Sequence, residues 1–356
     1  MLKLHVLRNA MSASLRMAGA ALVAATVLLA GAPARAADLL EFNYGIPNAN
    51  HATVYVAQDL GLFEKMGLKP KFFVFQSGAP LLAGLKSESL DVVTAGLALA
   101  LGLGQNIPLK FIFWEANSAV SEGLVVDPKS GIKSYRDLAK AKKIGAATGT
   151  CAQVALYMMA KKAGLDYAKL DVVNIPAPLF RNAFMSGSLD AGVAWPPFSL
   201  QLQSEGYPVV SFDSEYTPPG GLCPGLTAVR PAYLKQHPEI GLKLVQVEAL
   251  AREAIAKNPQ IAMDAYIKRQ QLSPEVAKLT VERECCDRGI PSFAQQLDPK
   301  SPYSMTAKDG GLAEKLHMAI DALHAMKAIS ERIPLSVIQE AVDPTYLREY
   351  LKTVGK

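Results

Sequence analysis

The sequence predicts an α/β protein of two lobes joined by a hinge, with a helix-rich C-terminal part. Strand-like and helix-like runs alternate from Glu41, a second alternating series starts at Gly123, and helical spacing of apolar residues dominates after Leu226. Strands that alternate with helices indicate βα units around a mainly parallel sheet. A single continuous α/β domain is the alternative that the pattern leaves open.

In the first series, each predicted strand ends at a corner from which a helix starts. Helical spacing is clearest between His51 and Met66, and Gly67 ends that helix. A second helix opens at Ser77. The predicted strands of this series are residues 41–46, 69–75 and 90–94.

The second series repeats the rhythm, and the chain then returns to the first lobe. Ser134 is a plausible helix cap, and Thr148-Gly149-Thr150 turns a strand into a helix. We assign residues 38–124 and 226–356 to lobe I and residues 125–225 to lobe II. Two crossings between lobes make a hinge, and a hinge implies a cleft. The predicted strands are residues 123–126, 144–147, 172–176, 190–195 and 209–212, and the predicted helices are 152–162 and 180–185.

Residues 1–36 match a secretory signal peptide. A basic start is followed by an uncharged run from Met17 to Pro33 and by Ala34-Arg35-Ala36, and we expect cleavage near Ala36 and a periplasmic location. A retained anchor is the alternative, although the run is short for a membrane span. Without this segment Lys plus Arg falls from 37 to 33 against 32 acids, so the formal charge falls from +5 to +1. A nucleic-acid partner is therefore not expected.

The reactive residues give no recognisable catalytic or metal-binding pattern. The four cysteines form neither a CxxC pair nor a zinc pattern, and GxSxG, HExxH and P-loop motifs are absent from the sequence. We therefore expect no catalytic residue, no metal and no cofactor. The cysteines are Cys151, Cys223, Cys285 and Cys286, and their pairing cannot be chosen from the sequence.

Several segments, taken in order, resemble the taurine-, sulfonate- and nitrate-binding periplasmic proteins of ABC importers. Tyr55–Leu68 contains GLF followed by a GL pair, Gly84–Val92 resembles an ALxSGxxDV stretch, and Ser188–Pro197 resembles GxxDAxxxWxP. Glu88 stands where that family usually has glycine. The entry to lobe two from Glu122, the triplet Asp213-Ser214-Glu215 and the helix break His237-Pro238-Glu239 complete the series.

The resemblance implies a two-lobed type II periplasmic binding protein fold that closes on a small solute by hinge motion. The implied partners are an ABC permease with its ATPase, membrane contact passes through the permease, and a monomer is expected. The ligand class is a small anionic or zwitterionic organic solute, with taurine-like sulfonates first. The alternatives are an enzyme similar to thiamine pyrimidine synthase, which uses pyridoxal phosphate and iron, and a ligand-presenting subunit of a sensor system.

Candidate ligand-binding residues lie at the strand-to-helix corners, where backbone N–H groups are unpaired and helix dipoles favour anions. Trp195 is the best candidate for an aromatic wall. Arg181 is a candidate partner for an anionic group of the ligand. Glu122, Asp213 and Glu215 are candidate partners for an amine group. The full candidate set is Asn48, Asn50, His51, Gln76, Ser77, Gly78, Ala79, Gly96, Leu97, Trp114, Glu122, Thr148, Thr150, Cys151, Arg181, Trp195 and Glu215.

Two features qualify the resemblance. Leu97 departs from the family, in which serine or threonine often follows the glycine, and this favours a more apolar ligand portion. Cys151 and Cys223 both fall where the resemblance places the cleft, so a disulfide at its wall is one hypothesis.

Overall fold

A computed structural model describes residues 39–49, 51–284 and 289–355; for Ala79 and Ser118 it describes the backbone alone. The predicted signal peptide therefore lies outside the described residues. The chain from Leu40 to Lys356 clusters as one compact unit that contains two five-stranded sheets. Among the described residues, every helix is too short or too polar to cross a membrane.

The first sheet has the strand order β2-β1-β3-β10-β4. β1 pairs in parallel with β2 and β3, whereas β10 is antiparallel to both β3 and β4. The strands are β1 (Leu40–Pro47), β2 (Leu68–Phe75), β3 (Val92–Ala95), β4 (Lys110–Asn117) and β10 (Pro224–Val229), and the intervening helices are α1 (Ala52–Asp59), α2 (Leu62–Lys65), α3 (Gly78–Lys86) and α4 (Ala98–Gly104).

The second sheet has the order β7-β6-β8-β5-β9. β6 is parallel to β7 and β8, and β5 is antiparallel to β8 and β9. The strands are β5 (Gly123–Val126), β6 (Ile144–Ala146), β7 (Val172–Asn174), β8 (Ala191–Ala194) and β9 (Val209–Phe212), and the helices are α5 (Cys151–Lys162), α6 (Phe180–Met185) and α7 (Phe198–Ser204).

The C-terminal part is helical, as the sequence predicts. The helices α9 and α10 pack on α1 beside the first sheet, and α13 packs on α5 of the second. These helices are α8 (Pro231–Gln236), α9 (Ile240–Lys257), α10 (Gln260–Gln270), α11 (Pro274–Glu284), α12 (Phe293–Leu297), α13 (Leu312–Ala325), α14 (Leu335–Ala341) and α15 (Thr345–Thr353).

Apolar side chains on both faces of each sheet form the core. One large cluster unites the first sheet with the C-terminal helices, and two smaller clusters cover the two faces of the second sheet. Phe180 packs directly against two strand glycines: a Cβ on Gly192 would lie 2.6 Å from its ring, and one on Gly145 would lie 3.1 Å away. Full burial of a phenylalanine contributes about 1.5–3 kcal/mol. These glycines therefore let α6 approach the sheet.

The α/β class is confirmed, and the sheets are mainly parallel as expected. One described strand in each sheet runs against the others, namely β5 and β10. These are the strands that follow the two passages of the chain between the sheets, at Ser121–Glu122 and at Asp213–Cys223. The two passages lie side by side, because the backbone N–H of Asp213 donates to the carbonyl of Glu122 (3.0 Å).

Candidate ligand-binding site

A cavity of about 520 Å³ is lined by residues of both sheets. The first sheet contributes the corners β1–α1, β2–α3 and β3–α4 with part of β4, and the second contributes the corner β6–α5 and the ends of β7 and β8. Ala328 and Ile329 add a C-terminal wall. The carboxyl ends of parallel strands are where open α/β sheets bind ligands.

The structure brings most of the candidate residues together at this cavity. They come from segments that are far apart in the sequence, from His51 to Trp195, and both sheets are represented. The candidates that line the cavity are His51, Gln76, Ser77, Gly78, Gly96, Leu97, Glu122, Thr148, Thr150, Cys151 and Trp195.

Helix starts dominate the polar part of the wall. The residues that precede α1, α3 and α5 are His51, Ser77 and Thr150, and none of these side chains caps the first turn of its own helix. Thr150 instead donates its hydroxyl to the carbonyl of Ala147 (2.6 Å). Uncapped N–H groups of a helix start are suited to an anionic or hydrogen-bond-accepting ligand.

Two candidates point into the protein instead of the cavity. Trp114 is fully buried, its indole N–H donates to the carbonyl of Ala116 (2.7 Å), and its ring packs edge-on against Tyr303 (5.6 Å). Asn48 is also absent from the cavity wall, and its side-chain oxygen accepts a hydrogen bond from Gln270 (3.2 Å). The structure therefore does not bring these two candidates to the cavity wall, because each is used for internal packing or bonding.

Two further candidates are exposed and have partners of their own at the surface. Arg181 forms an ion pair with Glu205 (2.8 Å), and Glu215 accepts a hydrogen bond from the backbone N–H of Phe212 (2.8 Å). Neither of these two side chains lines the cavity. Asn50 lies outside the described residues, and Ala79 contributes the backbone of the first turn of α3.

Glu122 is the deepest acid of the site. It is 1% exposed, and its Oε1 has no hydrogen-bond partner among the described residues. Burial raises the pKa of its carboxyl group well above the ordinary value, and the Cys151 thiol and Asp213 carboxyl add to the shift. Burial also raises the pKa of Asp213 to about 7. Because an unpartnered buried carboxyl group is costly, a ligand atom is an obvious partner for Glu122.

His51 forms a buried pair with Glu115, a residue that the sequence reasoning missed. The Nδ1 of His51 lies 3.0 Å from Oε2 of Glu115, and both residues line the cavity. Strand alternation was the available signal: since Trp114 faces the interior, its neighbour must face the other side of β4. Among the described wall residues the ionisable groups include two carboxyls and this imidazole, but no lysine or arginine.

The two cysteines of the cavity do not form the hypothesised disulfide. Cys151 and Cys223 are both unbridged and both line the cavity. Burial raises the pKa of the Cys223 thiol well above its ordinary value, and a hydrogen bond with Cys151 adds to the shift. Burial therefore favours the thiol form of Cys223, which is hydrogen-bonded to Cys151. Cys285 and Cys286 lie outside the described residues.

The described residues contain no group of three or more His, Cys, Asp or Glu side chains arranged to hold a metal ion. The cavity wall instead combines helix starts, amides and hydroxyls with apolar residues such as Leu82 and Leu101. This mixture suits a small organic molecule with one polar end and one apolar portion.

Comparison with known proteins places the chain in a family. A Bacillus subtilis (strain 168) protein named for the binding of aliphatic sulfonates is 30% identical over 268 residues, which are 72% of this chain and 79% of the relative. This agrees with the resemblance drawn from the sequence motifs. The sequence model of the NMT1/THI5 like family matches residues 48–262.

Solved structures show the same fold. The alkanesulfonate-binding protein SsuA from Xanthomonas axonopodis pv. citri, bound to MOPS, has a TM-score of 0.70 at 19% identity, with coverage of 86% of this chain and 99% of that chain. A Candida albicans gene product described as having the generic periplasmic binding protein fold has a TM-score of 0.62 at 15% identity, with coverage of 86% and 97%. The fold is thus that of the periplasmic binding proteins, and the chain belongs to the NMT1/THI5-like family.

Proposed function

We propose that this chain is the extracytoplasmic solute-binding component of an ABC importer. The observation that carries the proposal is the cavity of about 520 Å³, in which uncapped helix starts from both sheets meet. A volume of this size falls in the range of sites for small organic ligands. The relative named for sulfonate binding supports the same task.

The proposed ligand is a small anionic or zwitterionic organic solute, with taurine-like sulfonates first. The starts of α3 and α5 provide N–H donors for a sulfonate or carboxylate. Glu122 provides an acceptor for an ammonium or N–H group of a zwitterion. Leu97 and Trp195 provide apolar surface for the carbon portion.

In this proposal the two sheets are the cores of two lobes, with the boundaries given above, and the side-by-side passages form the hinge. Closure would enclose the solute, and the closed form would dock on the permease in the periplasm after removal of residues 1–36. The task is reversible binding without turnover. Ligands bind preferentially where two lobes meet, since closing them removes the ligand from water.

A thermal-shift titration of the mature chain with taurine and ethanesulfonate tests the proposal. A ligand that binds only the folded state adds RT ln(1 + [L]/Kd), which is about 2.7 kcal/mol at a hundred times Kd. We expect a concentration-dependent rise in the unfolding temperature. Gly96→Leu is the matched variant, because Gly96 lines the cavity and a larger side chain there fills it.

The variant should unfold near the wild-type temperature without ligand and should lose the ligand-dependent rise. A wild-type chain that gains no stability from any small sulfonate or carboxylate contradicts the proposed ligand class. A rise that persists unchanged in Gly96→Leu places binding outside this cavity.

A further inference from the structure

The pair His51–Glu115 places a buried imidazole beside a carboxyl group in a cavity wall whose described residues include no lysine or arginine. His51 is 4% exposed and Glu115 is 2% exposed, so the pair is shielded from water. Glu115 accepts from Nδ1 of His51 (3.0 Å) and also from the hydroxyl of Thr53 (3.4 Å). The proton on Nδ1 is therefore fixed by the carboxylate, and the remaining ring nitrogen is Nε2.

Nε2 of His51 is buried without a hydrogen-bond partner among the described residues. A neutral imidazole would offer a lone pair at this position, and a protonated one would offer an N–H donor with positive charge. A carboxylate bonded to the opposite nitrogen stabilises the protonated form. An anionic ligand at Nε2 would stabilise it further.

We propose that His51, held by Glu115, is the residue that selects an anionic group on the ligand, through a charged hydrogen bond from Nε2. The inference rests on the proposed function and deepens it, because it names the cation of the site. Anion binding then requires one proton on the imidazole. Sulfonates and carboxylates are both accommodated, and the ligand's charge matters more than its shape at this end.

The other charged and titratable side chains near the His51–Glu115 pair do not compete with His51 for an anionic group of the ligand. Glu248 of α9 lies close enough to Glu115 for their charges to interact, and Arg252 binds Glu248 (2.7 Å) and the carbonyls of Trp114 and Pro291. Tyr55 of α1 meets the imidazole edge-on at 6.3 Å. Across the cavity, burial raises the pKa of Glu122, which reduces its negative charge toward an incoming anion.

The test is the dissociation constant of ethanesulfonate and of propionate between about pH 5.5 and about pH 8.5, where ethanesulfonate is fully ionised, propionate is predominantly ionised and histidine ordinarily changes charge. In the wild-type chain we expect binding to weaken toward the alkaline end, since a charged hydrogen bond from Nε2 needs the protonated imidazole. His51→Gln should bind weakly at every pH. Glu115→Gln keeps an acceptor for Nδ1 but removes the carboxyl group that holds the imidazole, so its affinity for both probes should also fall.

His317→Gln is the matched control. His317 also lies beside a carboxylate, with 3.8 Å from Nδ1 to Asp321, but it is on α13 outside the cavity wall. Its pH profile should coincide with the wild-type profile. Should a cavity variant fail to fold, calorimetry of the wild-type chain in two buffers of different ionisation enthalpy still measures proton uptake on binding.

The outcomes separate the two proposals. Affinity that is independent of pH, affinity that rises with pH, or the same profile in His51→Gln overturns the inference and leaves the solute-binding function standing. If the wild-type chain binds neither probe at any pH, the proposed ligand class itself fails.

Discussion

At the residue scale, the most consequential groups are acids that the fold buries beside the passages between its sheets. Asp213 is 3% exposed, and burial raises its pKa to about 7. The unfolded chain ionises this carboxyl near its ordinary value, so the folded state holds an extra proton between about pH 4 and about pH 7. Its contribution to stability is present below that window and is lost as the pH rises through about 7.

Asp213→Asn should therefore make the fold less sensitive to alkaline pH. From about pH 5 to about pH 8 the wild type should lose about 2–3 kcal/mol more than the variant, because each pKa unit corresponds to about 1.4 kcal/mol. Urea unfolding at both pH values measures this. Glu215→Gln, which changes an exposed acid on the same turn, should follow the wild type. Equal pH dependence in wild type and Asp213→Asn would show that the carboxyl is not the cause.

Two neighbouring residues of β4 show why the candidate site is only partly predictable from the sequence. Trp114 and Glu115 are neighbours in β4, and a shift by one position moves a side chain to the opposite face. The surroundings of Trp114 come from distant parts of the chain: Gln296 of α12 donates to its carbonyl (2.8 Å) from 182 residues away. Sequence near β4 does not contain that information. An aromatic residue was therefore preferred over the acid that faces the site.

At the element scale, α3 is followed by Glu88 in a left-handed backbone conformation, which is unfavourable for residues other than glycine. Glu88 has φ of 57°, and its backbone N–H donates to the carbonyl of Leu85 (3.0 Å) just past the helix. Glycine is the usual residue at such a C-terminal position, since a left-handed conformation costs other residues roughly 1–2 kcal/mol. This accounts physically for the glycine that the related motif carries there.

We expect Glu88→Gly to be more stable than Glu88→Ala by about 1 kcal/mol. Both variants lose the exposed ion pair with Arg230, so the comparison isolates the backbone. At Ser87, where φ is −81°, the order should reverse, with Ala more stable than Gly. Chemical unfolding of the four variants decides, and a preference for alanine at both positions would contradict the assignment of strain to Glu88.

The elements themselves were predictable where their signals are local. Strand–corner–helix transitions at Ser77 and at Thr150 depend on nearby residues, and both were located correctly. The ion pair of Arg181 is not readable from nearby sequence, because its partner Glu205 lies at the end of the next helix and only the packing of α6 on α7 brings the two charges together. A lone cation in a sequence therefore says little about a binding site.

At the scale of the whole molecule, the alternation of elements predicts the α/β class but not the reversed strands. β5 and β10 each pair with strands distant in sequence, and their direction follows from the passages of the chain between the sheets. The spacing of apolar residues and the composition of a strand are the same whether it runs parallel or antiparallel to its neighbours. The reversed strands matter for function because they bring Glu122 and Cys223 to the cavity from opposite passages.

If one ligand contacts residues of both sheets, its binding should protect backbone amides beside both sheets from exchange. We expect taurine or ethanesulfonate to slow amide exchange together at the starts of α3 and α5, since these helices lie on different sheets and their uncapped N–H groups line one cavity. The amides of α15 lie outside the cavity wall and provide the internal control. Closure of the lobes should also reduce the radius of gyration measured by solution scattering. Protection confined to one helix start would mean that the ligand binds a single half of the fold, and closure would then have no driving contact in the other half.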